Sequence, residues 1–206
     1  MRCVVPACLI VLLSPCPFAA ISHANVPSPA TSEVTLSGQS QDCQYRFGVG
    51  TSSADVLIAE LVLRNSFNLP VVSCAVSIEL VPNDDTVEFC SCCPAIAEGI
   101  TDTNGFFQAT FSSIGGYGSL DVVTHSHCIG NVLISVDTIE FTSQDLNASC
   151  EAAGSTNLFD LARFGAALAP SYETYGDYDC SATVNVLDLG FFANGLGVGC
   201  GQAACP

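Results

Sequence analysis

The sequence predicts a mostly β protein, an antiparallel β-sandwich followed by a small α-helical module, on three observations. Between Ser32 and Thr142 the chain runs as short strand-like stretches separated by Gly, Asn, Pro or Ser, with no helical period between them. From Asp145 the texture changes, and the segment Asn157 to Leu168 recurs without a gap as Asn185 to Leu196. Ten cysteines follow an apolar leader, the pattern of an exported chain stapled by disulfides.

The leader comes first. Met1-Arg2, the mostly apolar run from Cys3 to Leu13, and Ser22-His23-Ala24 with small residues at both positions a signal peptidase reads predict a secretory signal over residues 1–24. Cys16 follows Pro15, where a lipidated cysteine needs a small neighbour, so lipidation is not expected. No later run reaches the 18 or so apolar residues of a membrane span. The remaining chain of about 180 residues has room for one ordinary domain and a small one. The division expected is a sandwich over 25–142, a repeat pair over 143–198 and a cysteine-containing tail over 199–206, in a protein secreted to the medium or the cell surface. With Arg2 in the leader, three arginines and no lysine face 20 acidic residues, giving a formal charge of -16 for the whole chain. Such a surface repels nucleic acid and leaves cations and neutral or basic partners.

Within the sandwich, Val34 and Leu36 alternate with Glu33 and Thr35 as a strand does, and Leu57 to Leu63, broken only by Glu60, predicts a strand covered on both faces. Asn65 to Pro70 reads as a turn, and Val71 to Val81 as a strand that Pro82-Asn83-Asp84-Asp85 ends. Thr101-Asp102-Thr103-Asn104-Gly105 predicts a tight hairpin leading into Gly105 to Ser112. Ser119 to Thr124 and Val132 to Phe141 bring the total to about seven strands. Asp102 and Asn104 do not begin a calcium loop, because Ser113 stands where the closing acid is needed. The Asn68-Leu69-Pro70-Val71 loop and the Asn-Gly turn, with their flanking strands, resemble bacterial immunoglobulin-like domains of the invasin and intimin type over roughly Val26 to Thr142. Cohesin domains, sandwiches of similar size, are the competing assignment.

The cysteines beyond the leader are Cys43, Cys74, Cys90, Cys92, Cys93, Cys128, Cys150, Cys180, Cys200 and Cys205. Their even number in an exported chain predicts disulfides, with Cys200 and Cys205 near enough in sequence for a local pair and the other pairings open. A zinc site joining Cys90, Cys92 and Cys93 to His125, His127 and Cys128 is the alternative, since alternate strand residues share a face. The oxidising compartment and the lack of a second Cys-x-x-Cys weigh against it.

The repeat carries the chemistry. Upstream of its second copy, Asp177, Asp179, Ser181, Thr183, Asn185 and Asp188 fall at positions 1, 3, 5, 7, 9 and 12 of an EF-hand-type loop. A hard cation needs six to eight oxygens at about 2.3–2.6 Å, and a twelve-residue loop supplies them when alternate residues point inward and position 7 offers its carbonyl. The first copy takes the same positions with Asp145, Asn147, Ser149, Ser155, Asn157 and Asp160 once Cys150-Glu151-Ala152-Ala153 is treated as a bulge. Calcium is the cofactor this pattern predicts. Asn147-Ala148-Ser149 also matches a glycosylation sequon, read as coincidence in a loop with ligand duties. In the tail, Leu158, Leu161, Phe164 and Leu168 form one apolar stripe, with Leu189, Phe192 and Leu196 another, predicting two helices that share a small core.

Aspartate at position 12, the short loop-plus-helix unit and the duplication resemble the type I dockerin family over about Asp145 to Leu196. The resemblance implies that the two loops bind calcium and that the helices dock onto a cohesin-like or other surface protein, the latter as part of a polysaccharide-degrading complex. The pair after position 9, often small and polar in that family, is Leu158-Phe159 here and Val186-Leu187 in the second copy, and position 6 of the second loop is Ala182 instead of glycine. Neither a nucleophile elbow nor a phosphate-cradling glycine loop is present, and the paired acids lie in the loops, so no catalytic role is expected. The expectation is a secreted, non-catalytic, calcium-binding structural or adhesion protein.

Overall fold

The computed structural model describes residues 25–38, 40–41, 43–48, 56–89, 95–112, 114–147, 156–168 and 172–197. The expected leader, the tail, and Cys90, Cys92, Cys93, Cys150, Cys200 and Cys205 lie outside the described residues, as do Ser149 and Ser155 of the first loop.

The chain is mostly β. Among the described residues ten strands precede two α-helices: β1 (Glu33–Gly38), β2 (Ser40–Gln41), β3 (Gln44–Phe47), β4 (Leu57–Val62), β5 (Ala75–Pro82), β6 (Val87–Phe89), β7 (Ile96–Ile100), β8 (Phe106–Phe111), β9 (Ile114–Ser126), β10 (Val132–Ser143), α1 (Leu158–Ala167) and α2 (Val186–Gly195). A three-stranded sheet of order β1-β4-β8 faces a seven-stranded sheet in which β2-β3-β10-β9-β5-β7 lie side by side and β6 pairs with β9. All pairings are antiparallel except that of β10 with β3, where Phe141 opposes Tyr45 and Ser143 opposes Phe47. One core fills the space between the sheets. Leu57, Ala59, Leu61, Ala109 and Phe111 come from the smaller sheet, and Phe47, Ile78, Leu80, Leu120, Val122 and Phe141 from the larger. Phe47 meets Phe141 edge to face at 5.4 Å, locking β3 to β10 from within.

Sequence periodicity locates the long strands because their alternation is a burial pattern. In β4 the residues alternate buried and half-buried, so its outer face is only partly covered, where the mostly apolar run predicted cover on both faces. The short strands β2, β3 and β6, of two to four residues, are too brief for alternation to register.

The Asn104-Gly105 turn is also a correction. It does not form a hairpin: β7 pairs with β5 in the larger sheet and β8 with β4 in the smaller, so the chain changes sheets there. Asp102 makes the turn, its Oδ1 accepting from the backbone N–H groups of Asn104 (2.7 Å) and Phe106 (2.8 Å), which holds its carboxyl below the ordinary range. Gly105 has φ +75°, and a Cβ on it would collide with the Leu63 carbonyl. Gly105→Ala should therefore cost at least about 1–2 kcal/mol, read as a lower urea midpoint.

Cys74 bonds Cys128 inside the sandwich, across 54 residues, and Cys43 bonds Cys180 across 137. With Cys128 so used, the zinc reading loses one sulfur. His127 Nε2 instead meets Ser77 Oγ at 2.9 Å, and the His125 and His127 rings stack 6.2 Å apart. The boundary near Phe141 to Asp145 marks a change of texture across which packing continues. Cys43–Cys180 spans it, Gln144 Nε2 donates to the Phe191 carbonyl (2.8 Å), and the Tyr178 phenol donates to the Ser143 carbonyl (2.9 Å).

Candidate functional site

The site is built by the repeat. Each helix starts at an asparagine N-cap in extended conformation, Asn157 for α1 and Asn185 for α2. The side chain of Asn157 accepts from the Phe159 N–H (2.7 Å) and that of Asn185 from the Leu187 N–H (2.8 Å). The aspartate three residues on reaches back: Asp160 Oδ2 accepts from the Asn157 N–H (2.7 Å), and Asp188 Oδ2 from the Asn185 N–H (2.8 Å). These are capping boxes, and they supply a structural reason for the repeated Asn-x-x-Asp that the loop spacing alone did not reveal. The signal was present in the sequence, in a polar residue followed three places later by an acid before an apolar run.

The other oxygen of each aspartate closes its loop. Asp188 Oδ1 accepts from the N–H groups of Asp179 (3.2 Å) and Tyr178 (2.7 Å), and Asp160 Oδ1 accepts from that of Asn147 (2.9 Å). Position 12 thus bonds the backbone of position 3 in both copies, across 9 residues in the second and 13 in the first. The difference equals the four residues Cys150 to Ala153, which lie outside the described residues.

In the second loop the carboxylates of Asp177, Asp179 and Asp188 converge, one oxygen of each lying within 4.8 Å of the others. Asp177 and Asp188 are fully buried. Asp177 Oδ1 and Asp179 Oδ1 both accept from the Ser181 N–H, at 3.0 and 3.1 Å. The Thr183 carbonyl at position 7 accepts from the Ser181 hydroxyl (3.1 Å) and the Asn185 side-chain amide (3.2 Å), which links positions 5, 7 and 9 at the surface. Burial, ahead of repulsion from Asp179, pushes the Asp188 carboxyl up. The Ser181 hydroxyl holds that of Asp179 down. Of the first loop, Asp145 and Asp160 are buried, Asn147 and Asn157 stand beside them, and Asp145 also accepts the Gly116 N–H on its carbonyl (2.6 Å).

Three groups around the second loop were not legible from loop spacing. Tyr172, just upstream, donates its phenol to Asp177 Oδ2 (2.6 Å), and that bond pushes its pKa up to about 12. Tyr178, at position 2, is buried in the small core, which raises its pKa well above the usual phenol value. Gln44 of β3 donates to the carbonyls of Asp177 (2.8 Å) and Thr174 (3.1 Å).

The predicted helix stripes are corrected. The buried residues are Asp160, Phe164 and Ala167 in α1, and Asp188, Phe192 and Gly195 in α2. Leu158, Leu168, Leu189 and Leu196 are exposed instead. The phase is set by the aspartates, whose oxygens must reach the loop N–H groups and so turn their own face inward. Phe164 and Phe192 stack at 5.1 Å in a core with Leu146 and Tyr178, against which Tyr117 of β9 packs. The apolar pairs after the caps point outward: Leu158 and Phe159 are each 77% exposed, Val186 76% and Leu187 62%.

Neither a family model nor a curated protein sequence matches the chain. Among solved structures, the adhesin InvE of Yersinia pseudotuberculosis is similar at 16% identity over 58% of this chain and 28% of that one, with a TM-score of 0.39. AggA, the major subunit of aggregative adherence fimbriae type I from Escherichia coli, is similar at 16% identity over 54% of this chain and 95% of its own, with a TM-score of 0.26. A β-glucosidase from Listeria innocua gives 12% identity over 53% of this chain and 16% of that one, with a TM-score of 0.27. The chain spans just over a quarter of the adhesin's length. Likenesses at these scores fix no function.

Proposed function

We propose that the protein is a secreted, non-catalytic surface or adhesion component in which an immunoglobulin-like sandwich carries a degenerate dockerin-like calcium module. The convergence of Asp177, Asp179 and Asp188 carries this reading. Three carboxylates drawn so close repel one another, and burial of two of them adds a desolvation cost; a divalent cation offsets both. The oxygens of Ser181, Thr183 and Asn185 complete a hard-ion ligand set. Three backbone N–H groups occupy three of the four lone pairs of Asp188, two on Oδ1 and one on Oδ2, which leaves one on Oδ2 for the ion. The two disulfides among the described residues fit an oxidising exterior. No described helix is long and apolar enough to cross a membrane.

Calorimetric titration of the full chain with calcium tests it. The expected dissociation constant is roughly 10⁻⁵ to 10⁻³ M, tighter at the second loop, whose acids number three against Asp145 and Asp160 in the first. At a hundredfold excess calcium should add about 2.7 kcal/mol to stability. If chelator leaves the melting point unchanged, the calcium reading is lost.

A second reading, a cohesin-binding component of an extracellular polysaccharide-degrading complex, draws on the exposed Leu158-Phe159 and Val186-Leu187 pairs at the two helix starts. Capture of a cohesin-like or other surface protein that requires calcium and is lost in Phe159→Ser/Leu187→Ser would favour it. Capture unaffected by those changes would count against it.

A further inference from the structure

The Cys43–Cys180 bond enters the second loop at position 4, between Asp179 and Ser181. Its other end heads β3, and β3 grips the same loop from outside. Gln44 donates to the Asp177 carbonyl, and Arg46, whose guanidinium lies 4.4 Å from the centre of the Phe191 ring, donates to the Tyr178 carbonyl (3.4 Å). Loop positions 1, 2 and 4 are therefore tied to a sheet. The equivalent residue of the first loop is Ala148, so no such bond is open to it.

The second loop needs holding. Cys180 at φ +56° and Ala182 at φ +61° both occupy the left-handed region that L side chains avoid, and they flank Ser181. The three carboxylates add mutual repulsion. That strain and repulsion act against the hydrogen bonds the Ser181 N–H makes to Asp177 and Asp179.

We infer that the Cys43–Cys180 disulfide is a redox latch on cation binding by the second loop. Intact, it keeps positions 3 and 5 in the chelating arrangement; reduced, it lets them separate, and affinity falls. The inference rests on the calcium reading of that loop. The reductant is a dithiol. One of its thiolates attacks Cys43 Sγ, on the exposed partner, and the breaking S–S bond leaves its electron pair on Cys180 Sγ, which takes up a proton. The second thiolate of the reductant then displaces Cys43, whose sulfur takes up the other proton. Two protein thiols and one oxidised dithiol result, with two electrons transferred. Linkage makes the effect reciprocal: the factor by which reduction weakens calcium binding is the factor by which calcium disfavours reduction.

The test uses the full chain and calcium chloride. Cys43→Ser/Cys180→Ser should bind calcium at least tenfold more weakly than the wild type by calorimetry. Cys74→Ser/Cys128→Ser, which removes the disulfide of the sandwich core, should lower the melting point with no change in the dissociation constant. Equal affinity in the latch variant and the wild type overturns the latch alone. A wild type that binds no calcium overturns the calcium reading and the latch with it. If the latch variant does not fold, the wild type is equilibrated in dithiol redox buffers, and the thiol fraction at Cys43 and Cys180 is measured by alkylation and peptide mass. Saturating calcium should lower the midpoint potential of that pair by about 30 mV per tenfold coupling. An unmoved midpoint overturns the latch.

Discussion

Asp188→Ala is expected to destabilise the helical region by about 3–5 kcal/mol and to remove most of the melting shift that calcium produces. Asp188 is fully buried and accepts from three backbone N–H groups, those of Tyr178, Asp179 and Asn185. Loss of an N-cap partner alone costs about 1 kcal/mol, and each buried N–H left without an acceptor adds about 1–3 kcal/mol. Asp188→Asn separates the two roles, since the amide keeps one acceptor oxygen but no charge. It should retain part of the stability in chelator and still lose the calcium response. Asp160→Ala should cost less in both respects, because its carboxylate holds two N–H groups, those of Asn147 and Asn157, and its loop has fewer acids. A full calcium response in Asp188→Ala would remove that residue from the ligand set.

The pH dependence follows from the same carboxyl. Burial raises its pKa above the ordinary 3.8, so the fold favours its protonated form over the unfolded chain's. The calcium-free protein therefore loses that contribution to stability as pH rises from about 3.8 through the raised value. Calcium requires the ionised form and acts in the opposite sense. The difference in melting point with and without calcium should be small at the acid end of this window and grow as pH rises through it. A calcium shift that is flat across the window would show that Asp188 does not meet the ion.

Phe192→Ala should cost about 3–5 kcal/mol. The ring is fully buried and stacked on Phe164, which in turn stacks on Tyr178 at 6.1 Å. The cavity cannot close easily, because the backbone ties the end of α2 to the start of α1 through the Gly197 N–H and the Thr156 carbonyl (3.0 Å). Loss of helical circular dichroism and early proteolysis within residues 156–197 would report it. Leu158→Ala is the counterpart: although the apolar stripe placed it in the core, its exposure predicts a change within about 0.5 kcal/mol. A large loss at Leu158 would restore the stripe.

The long strands and both helices are legible in the sequence because each carries a period that burial enforces. The same holds for the two helix starts, since Asn-x-x-Asp followed by Leu-x-x-Phe recurs and both copies form the same capping box. Short elements are not legible. β3 spans Gln44–Phe47, too few residues for alternation to register, and yet it carries Gln44 and Arg46 and follows Cys43, the residues that grip the second loop. The helix phase was hidden for another reason. Hydrophobicity assigns Leu158 to the core and Asp160 to water, whereas the loop N–H groups require an acceptor and turn Asp160 inward.

By itself the sequence showed the long strands, the turn at Asn65 to Pro70 and the recurrence of Asn-x-x-Asp, features that close within about a dozen residues, although the caps this recurrence forms were not read from it. Only the tertiary structure decided that Asn104-Gly105 crosses between sheets, that Cys43 meets Cys180 across 137 residues, and that β3 braces the acidic loop. Such contacts depend on how the two sheets and the helix pair pack as bodies. Local periodicity sets which face of an element is buried, but the partner of that face comes from packing among elements far apart in the chain.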